Sequence, residues 1–167
     1  MVAKEISAVV VDDKKMVIQE FDIPKIGPED ALLKLEMTGI CGSDIGLYAG
    51  RFKAMGIQFP LIMGHEILGY IAEIGSKAQE SYGVRVGDRV IVEAFVPCGH
   101  CTLCLTGNYR ICEKGISYGS RVSCDRPPHL WGGYGQYMYI MAGSVLHKIS
   151  EDIMAEEAVL AASALGN

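Results

Sequence analysis

The sequence has no block of basic residues, no internal repeat and no low-complexity segment. Its net charge of −5 comes from 20 acidic and 15 basic side chains scattered along the chain. Without a concentrated positive patch, neither nucleic acid nor an anionic membrane surface is an expected partner. The opening Met1-Val2-Ala3-Lys4-Glu5 is not followed by an apolar h-region, so no signal peptide is expected. One uncharged run, residues 127–146, has the length of a membrane span but holds two prolines, four glycines, a glutamine and a histidine. Its apolar residues alternate, whereas a spanning helix needs a continuous apolar face. No membrane partner is expected. Six cysteines without a secretion signal point instead to a reducing, cytoplasmic setting in which thiols serve as ligands.

Half of the 167 residues are apolar, enough for one domain with a core, and 20 glycines favour turns over long helices. Residues 4–11 and 16–23 read as a hairpin across Asp12-Asp13-Lys14-Lys15. Residues 31–39 alternate as a half-buried strand should, and they deliver the chain directly to Cys41. Residues 45–48 suit one helical turn, 55–63 a loop and 67–74 another strand. Residues 75–83 are polar and read as a loop, 84–92 as a turn entering a strand, 116–128 as irregular and 135–141 as a strand. Only over 154–165 do Ala, Leu and Glu reach helix-favouring density, with Glu156 and Glu157 suited to the positive end of the dipole. The expectation is a mainly β barrel or sandwich up to about residue 150, with a helix beginning as the sequence stops.

Chemistry first declares itself in Cys98-Gly99-His100-Cys101-Thr102-Leu103-Cys104 and the following Cys112. Three cysteines at every third position in a loop can turn their sulfurs to one point, and Cys112 can close a tetrahedron. Thiolates so placed repel one another unless a cation sits among them, and zinc is the usual one. Four protein ligands leave no open position, so such a site is structural. Two disulfides or four unlinked thiols are the alternatives, which regular spacing in a reducing compartment disfavours.

Two shorter motifs also set metal-capable groups beside glycines: Gly39-Ile40-Cys41-Gly42-Ser43-Asp44 and Gly64-His65-Glu66. Glycine permits the sharp bends that bring side chains together. Taken alone, Cys41 reads more often as a small hydrophobe and His65 as a satisfied core residue. Ser43 and Asp44 alone read as turn residues, and Glu66 as a surface carboxylate.

The four features in this order, with Gly87-Asp88-Arg89-Val90 at a strand entry, resemble the zinc-containing alcohol dehydrogenases of the medium-chain dehydrogenase/reductase superfamily. The resemblance covers essentially the whole chain. It implies a GroES-like, partly open β-barrel over residues 1–150, a zinc lobe at 95–115, and a linking helix starting in 151–167. That helix would lead to a Rossmann domain, not present in this sequence, that binds NAD or NADP. By the same resemblance Cys41 and His65 are ligands of a catalytic zinc, and Ser43 takes the proton from the bound alcohol. Asp44 is similar to the carboxylate that fixes the imidazole, and Glu66 to the acid behind the zinc, sometimes itself a ligand. Cys98, Cys101, Cys104 and Cys112 match the structural zinc site, and Phe95 falls near a wall of the substrate pocket. The implied partners are a small alcohol or carbonyl and further copies of the chain, as a homodimer or homotetramer.

Three departures qualify the resemblance. The family's third catalytic ligand falls on Ala162 or Ser163, neither a normal zinc ligand, which leaves Glu66 or water for the role. The relay histidine of relatives is here Gly46, so the proton must leave through water or the cofactor ribose. No Gly-x-Gly-x-x-Gly precedes a helix, and Gly133-Tyr134-Gly135-Gln136-Tyr137-Met138 lacks the last glycine. Two other readings therefore stand beside the dehydrogenase. One is a zinc-stabilised binding module, and the other a carbonyl or enoyl reductase with weak or no catalytic zinc. Cys124 is read as an ordinary free thiol.

Overall fold

The computed structural model describes residues 3–162, so the expected helix beyond Ala162, and Ser163 with it, lie outside the described residues. Strands β1 (Lys4–Asp12) and β2 (Lys15–Asp22) form the expected hairpin, turned by Lys14 at φ 55°. The other edge of β1 pairs with a short strand, β4 (Leu61–Ile62), giving a three-stranded sheet in the order β2-β1-β4.

The main sheet is antiparallel throughout. It contains β3 (Ala31–Gly39), β5 (Glu66–Ile74), β6 (Arg89–Val92), β9 (Tyr137–Ile140) and β10 (Leu146–Lys148), in the order β10-β6-β5-β3-β9. A bridge from Ser7 to Gly135 brings the two sheets together without closing them, as a partly open barrel requires. A two-stranded ribbon, β7 (Phe95–Val96) and β8 (Ile116–Ser117), flanks the cysteine segment.

The sheets enclose two adjoining cores, and β3 serves both. Leu33 packs with Ile67, Val90, Trp131 and Met138 on one face, while Leu32 packs with Val9, Ile62 and Leu130 on the other. Burial on both faces explains why β3 begins with consecutive apolar residues and alternates only later. The Gly87-Asp88-Arg89-Val90 motif has a structural reason. Arg89, 3% exposed, holds Glu36 through two bonds of 2.7 and 3.0 Å and donates to the carbonyls of Ser150 and Ile153. A paired guanidinium thus ties the approach to the last helix onto the sheet.

Residues 75–83 correct the loop expectation, because Ser76–Tyr82 is a helix, α2. Its single buried residue is Ala78, too little for an apolar period to be seen in sequence. The helix is capped from outside: the carbonyl of Pro28 accepts the N–H groups of Lys77 and Ala78, and Gly83 ends it at φ 64°. Strands β4 and β10 were also unexpected, since two or three residues carry no alternation of their own. The last helix, α4 (Ala155–Ala161), packs Ala158 and Val159 on Leu68 and Ile91. No helix among the described residues is long and apolar enough to cross a membrane.

Glu5 is fully buried between the sheets, where Ser7 Oγ donates to it at 2.8 Å and the N–H groups of Gln136 and Tyr137 at 3.1 and 3.4 Å. Burial outweighs these bonds, and its pKa is raised. A raised folded pKa gives stability that is present below the unfolded value and lost as pH rises through the folded one. Glu5→Gln keeps the acceptor and removes the titration. The expected outcome is that the mutant's advantage in melting temperature grows from pH 5 to pH 7.5, measured by thermal unfolding at matched ionic strength.

Candidate functional site

The antiparallel register of β3 and β5 ends with Gly39 opposite Glu66. Cys41 lies two residues beyond the end of β3 and His65 one residue before β5, so the pairing itself delivers both to one place. Cys41 is the N-cap of α1 (Gly42–Tyr48), with extended backbone at φ −95° and ψ 160°. One ligand atom from each of Cys41, His65 and Glu66 lies within 4.8 Å of the others. Gly64 makes the approach possible. It stands at φ +89°, and a Cβ there would meet the Tyr134 ring at 2.6 Å and Thr38 at 2.8 Å.

Asp44 fixes both loops. Its Oδ2 accepts the Cys41 N–H at 2.8 Å, and its Oδ1 faces His65 Nδ1 at 3.4 Å, too skewed for a good hydrogen bond. That leaves His65 Nε2 turned towards Ser43, whose Oγ is 3.5 Å away. The Asp44 carboxylate beside the ring pushes the His65 pKa up to about 9, with burial opposing. For Asp44, burial works against ionisation, but the His65 ring and the Cys41 N–H outweigh it and lower the pKa. The Ser43 hydroxyl and backbone N–H lower that of Cys41. A polarised thiol, an imidazole whose far nitrogen faces a carboxylate and a buried carboxylate form a donor set that fits a borderline divalent metal such as zinc.

The second cluster brings together all four cysteines of the motif. Cys101 begins α3 (Thr102–Leu105), and Cys112 follows a short 3-10 turn at Tyr109–Ile111. The sulfurs of Cys98 and Cys104 are 3.9 Å apart, those of Cys101 and Cys104 3.5 Å, and those of Cys101 and Cys112 3.8 Å. A tetrahedron with metal–sulfur bonds of about 2.3 Å has edges of about 3.8 Å. A disulfide needs about 2.05 Å, and all six cysteines are free thiols. The N–H groups of His100 and Cys101 lower the pKa of Cys98, whereas loss of hydration raises that of Cys104. The spacing fits a tetrahedral ion and excludes paired bridges.

A cleft of about 420 Å³ opens beside Cys41 and His65. Phe95 lines it, and so do Ala161 and Ala162, the latter one of the two positions, with Ser163, on which the family's third ligand falls. Glu66 is thus the third ligand-capable group at this cluster. Gly46 also has a local cause. A Cβ there would lie 2.5 Å from the Phe52 ring, which fills the space a relay histidine would need.

Sequence reading missed Tyr134 and the polar wall of the cleft. Tyr134 lies in the glycine run weighed as a nucleotide loop, but Gly133 and Tyr134 donate to the carbonyls of Gly64 and Met63 instead. Its hydroxyl is buried, and burial plus the Asp44 carboxylate raise its pKa. Glu93 joins Tyr109 at 2.7 Å and His147 at 2.8 Å on the cleft wall. No motif carries these residues. They meet only through β10 and the cysteine lobe.

The fold and the two clusters define a β-barrel of the dehydrogenase type with an attached thiol lobe. The chain belongs to the alcohol dehydrogenase GroES-like domain family, which it matches over residues 27–151. It is similar to a probable alcohol dehydrogenase of Mycobacterium tuberculosis, 39% identical over 150 residues, covering 88% of this chain and 40% of the relative. It is also similar to an erythritol/L-threitol dehydrogenase of Mycolicibacterium smegmatis, 35% identical over 151 residues, covering 86% and 40%. A solved alcohol dehydrogenase of Thermotoga maritima shares the fold, with a TM-score of 0.84 at 24% identity over 96% of this chain and 44% of that one. The chain therefore spans about 40% of the length of the curated relatives it matches.

Gly64→Ala should be costly because strain at positive φ coincides with a clash. A loss of about 1–3 kcal/mol corresponds to a melting temperature lower by roughly 2–12 °C. Gly56 stands at φ +83° with open space around its missing side chain. Gly56→Ala should cost less in the same thermal unfolding assay, and an equal cost would assign the effect to backbone strain alone.

Proposed function

We propose that the chain is the catalytic portion of a zinc-dependent oxidoreductase that interconverts an alcohol or polyol and its aldehyde or ketone, with NAD or NADP. One observation carries this reading: Cys41, His65 and Glu66 converge beside an open cleft, with the Ser43 hydroxyl at hand. The alcohol and polyol dehydrogenases among its relatives support the reaction class. Residues 1–150 are the catalytic unit, with the lobe at 95–115, and residues 151–167 lead towards a nucleotide-binding domain in the remainder of the protein. A cytoplasmic homodimer or homotetramer acting on a small alcohol or carbonyl is the assembly this reading implies.

Cys41, His65 and Glu66 would hold the zinc, which would supply a Lewis acid to polarise the substrate oxygen and lower its pKa. The chain's own groups do the rest. Asp44 holds the His65 ring and the Cys41 backbone in register, so neither donor must reorganise. Ser43 accepts the proton of the alcohol. The Phe52 ring closes the side on which relatives carry a histidine, so that proton leaves through water or the cofactor ribose. The closed four-thiol site has no position for substrate and is structural.

The two sites differ in donor count and charge, which makes them separable. Full-length protein should hold about two zinc ions per chain. Mild chelation should remove the ion at Cys41 and His65 first, abolishing turnover with little change in melting temperature. Cys41→Ser should do the same. Cys112→Ser should instead lower the melting temperature clearly, because metal bound only by the folded state contributes directly to folding free energy. Metal analysis, turnover and thermal unfolding on the same samples check this. A single ion held only by the four cysteines, with Cys41→Ser fully active, would favour the binding-module or zinc-free reductase reading.

A further inference from the structure

On the Ser43 side of Phe95 lies a second cavity, of about 210 Å³. Leu47, Phe52 and Ile57 give it an apolar wall. Its polar lining is Ser43, His65, Ser117, Ser120 and Arg121, with no carboxylate among them. The cleft on the Cys41 side differs, because there Glu93 already occupies Tyr109 and His147.

Arg121 has no ion-pair partner among the described residues, and its only hydrogen bond there is made by its backbone N–H, to the Ser117 carbonyl. Arg89 and Arg85 face Glu36 and Asp88, while Arg51, Arg110 and Arg126 are, like Arg121, without an ion pair among the described residues. The turn that carries Arg121 is held firmly. Ser117 and Ser120 hydroxyls lie 2.7 Å apart, and Gly119 donates to the Trp131 carbonyl at 2.7 Å. Gly119 also packs so closely on Gly64 that a Cβ would lie 2.2 Å from the Gly64 carbonyl oxygen. The turn and its two hydroxyls are therefore fixed against the loop that presents His65, and the exposed Arg121 side chain extends from that turn along the cavity. Arg110 lies over the Phe95 ring at 5.3 Å from its centroid and lines the cleft on the Cys41 side, so Arg121 is the guanidinium of this cavity.

We propose that this cavity receives the far end of the substrate, and that Arg121 with Ser117 and Ser120 selects alcohols bearing an anionic group, a phosphate monoester or a carboxylate. The inference rests on the dehydrogenase reading for its reacting end, and on the cavity alone for its anion site. A guanidinium offers paired N–H donors that match either oxyanion, and the serine hydroxyls can donate to a third oxygen. A neutral alcohol leaves those donors unused, which is how a site built for a polar partner discriminates.

The test compares matched substrates in the full-length, zinc-loaded enzyme with NAD or NADP. A polyol phosphate is set against its polyol, and a hydroxy-carboxylate against the corresponding diol. Wild type should prefer the anionic member of one pair by at least about tenfold in kcat/KM, and the preferred pair distinguishes phosphate from carboxylate. Arg121→Gln should collapse that ratio towards unity through KM for the anion, Arg121→Lys should restore part of it, and both should melt as wild type does. Raising the salt concentration should lower the wild-type ratio. In parallel, inorganic phosphate and acetate are titrated by calorimetry into wild type and Arg121→Gln. Binding of either that Arg121→Gln weakens at least fivefold supports the anion site even if no alcohol is oxidised, in which case only the dehydrogenase reading falls. Oxidation of neutral alcohols as efficiently as anionic ones, or an unchanged ratio in Arg121→Gln, overturns the proposal while leaving that reading intact.

Discussion

The pairing of β3 with β5 is the constraint on which the site depends. With Gly39 opposite Glu66, the chain entering and the chain leaving the sheet place Cys41 and His65 at the same end. A slip of one residue would invert every side chain of β3 and send the buried Leu33 out of its core. A Cβ at Gly39 would run into the Glu66 side chain, so a larger residue there would push that carboxylate aside. Asp44 then tightens what the sheet roughly positions, with one oxygen on each loop. Register brings the donors close, and a single carboxylate sets their orientation.

The two sulfur-bearing clusters solve different electrostatic problems. In the lobe, four thiols stand close enough to share one ion, and four such ligands would leave no position for another. At the barrel, a thiol, an imidazole and a carboxylate leave one side open to a cleft lined by Phe95 and by the methyls of Ala161 and Ala162. The open side is also the side on which α4 rests, held against the sheet by Ala158 and Val159 and approached through the Arg89–Glu36 pair. This charge pair serves the site indirectly, because Arg89 also ties down the segment that leads into α4.

Much of this was legible in the residues themselves. The alternation of β3 and the density of glycines announced a mainly β chain, and the four-cysteine spacing announced where those sulfurs meet. Cys41, Ser43, Asp44, His65 and Glu66 were each noticed for their chemistry, but spacing alone could not say that they meet. That knowledge came with family resemblance and is visible in the structure as the β3–β5 register. Other parts had no local signal. Helix α2 depends on the Pro28 carbonyl as its cap, and strands β4 and β10 exist only because longer neighbours pair with them. Tyr134, Glu93 and Arg121 sit in the site through contacts between segments far apart in sequence. Tyr134 was even counted towards a different motif, because a glycine run looks alike whether it cradles a phosphate or packs against another backbone.

The ribbon that leads into and out of the thiol lobe, with Phe95 opposite Ser117, doubles as a wall of both cavities. On the proposed reading, the groups suited to bond-making come from the barrel, whereas part of the surface that would meet the rest of a substrate comes from this appendage. Selectivity and reactivity would then be carried on separate stretches of polypeptide. Exchanging one appendage for another of the same span would re-tailor what is recognised while leaving the barrel's donors undisturbed, a division of labour that lets a lineage diversify its tastes without relearning its chemistry.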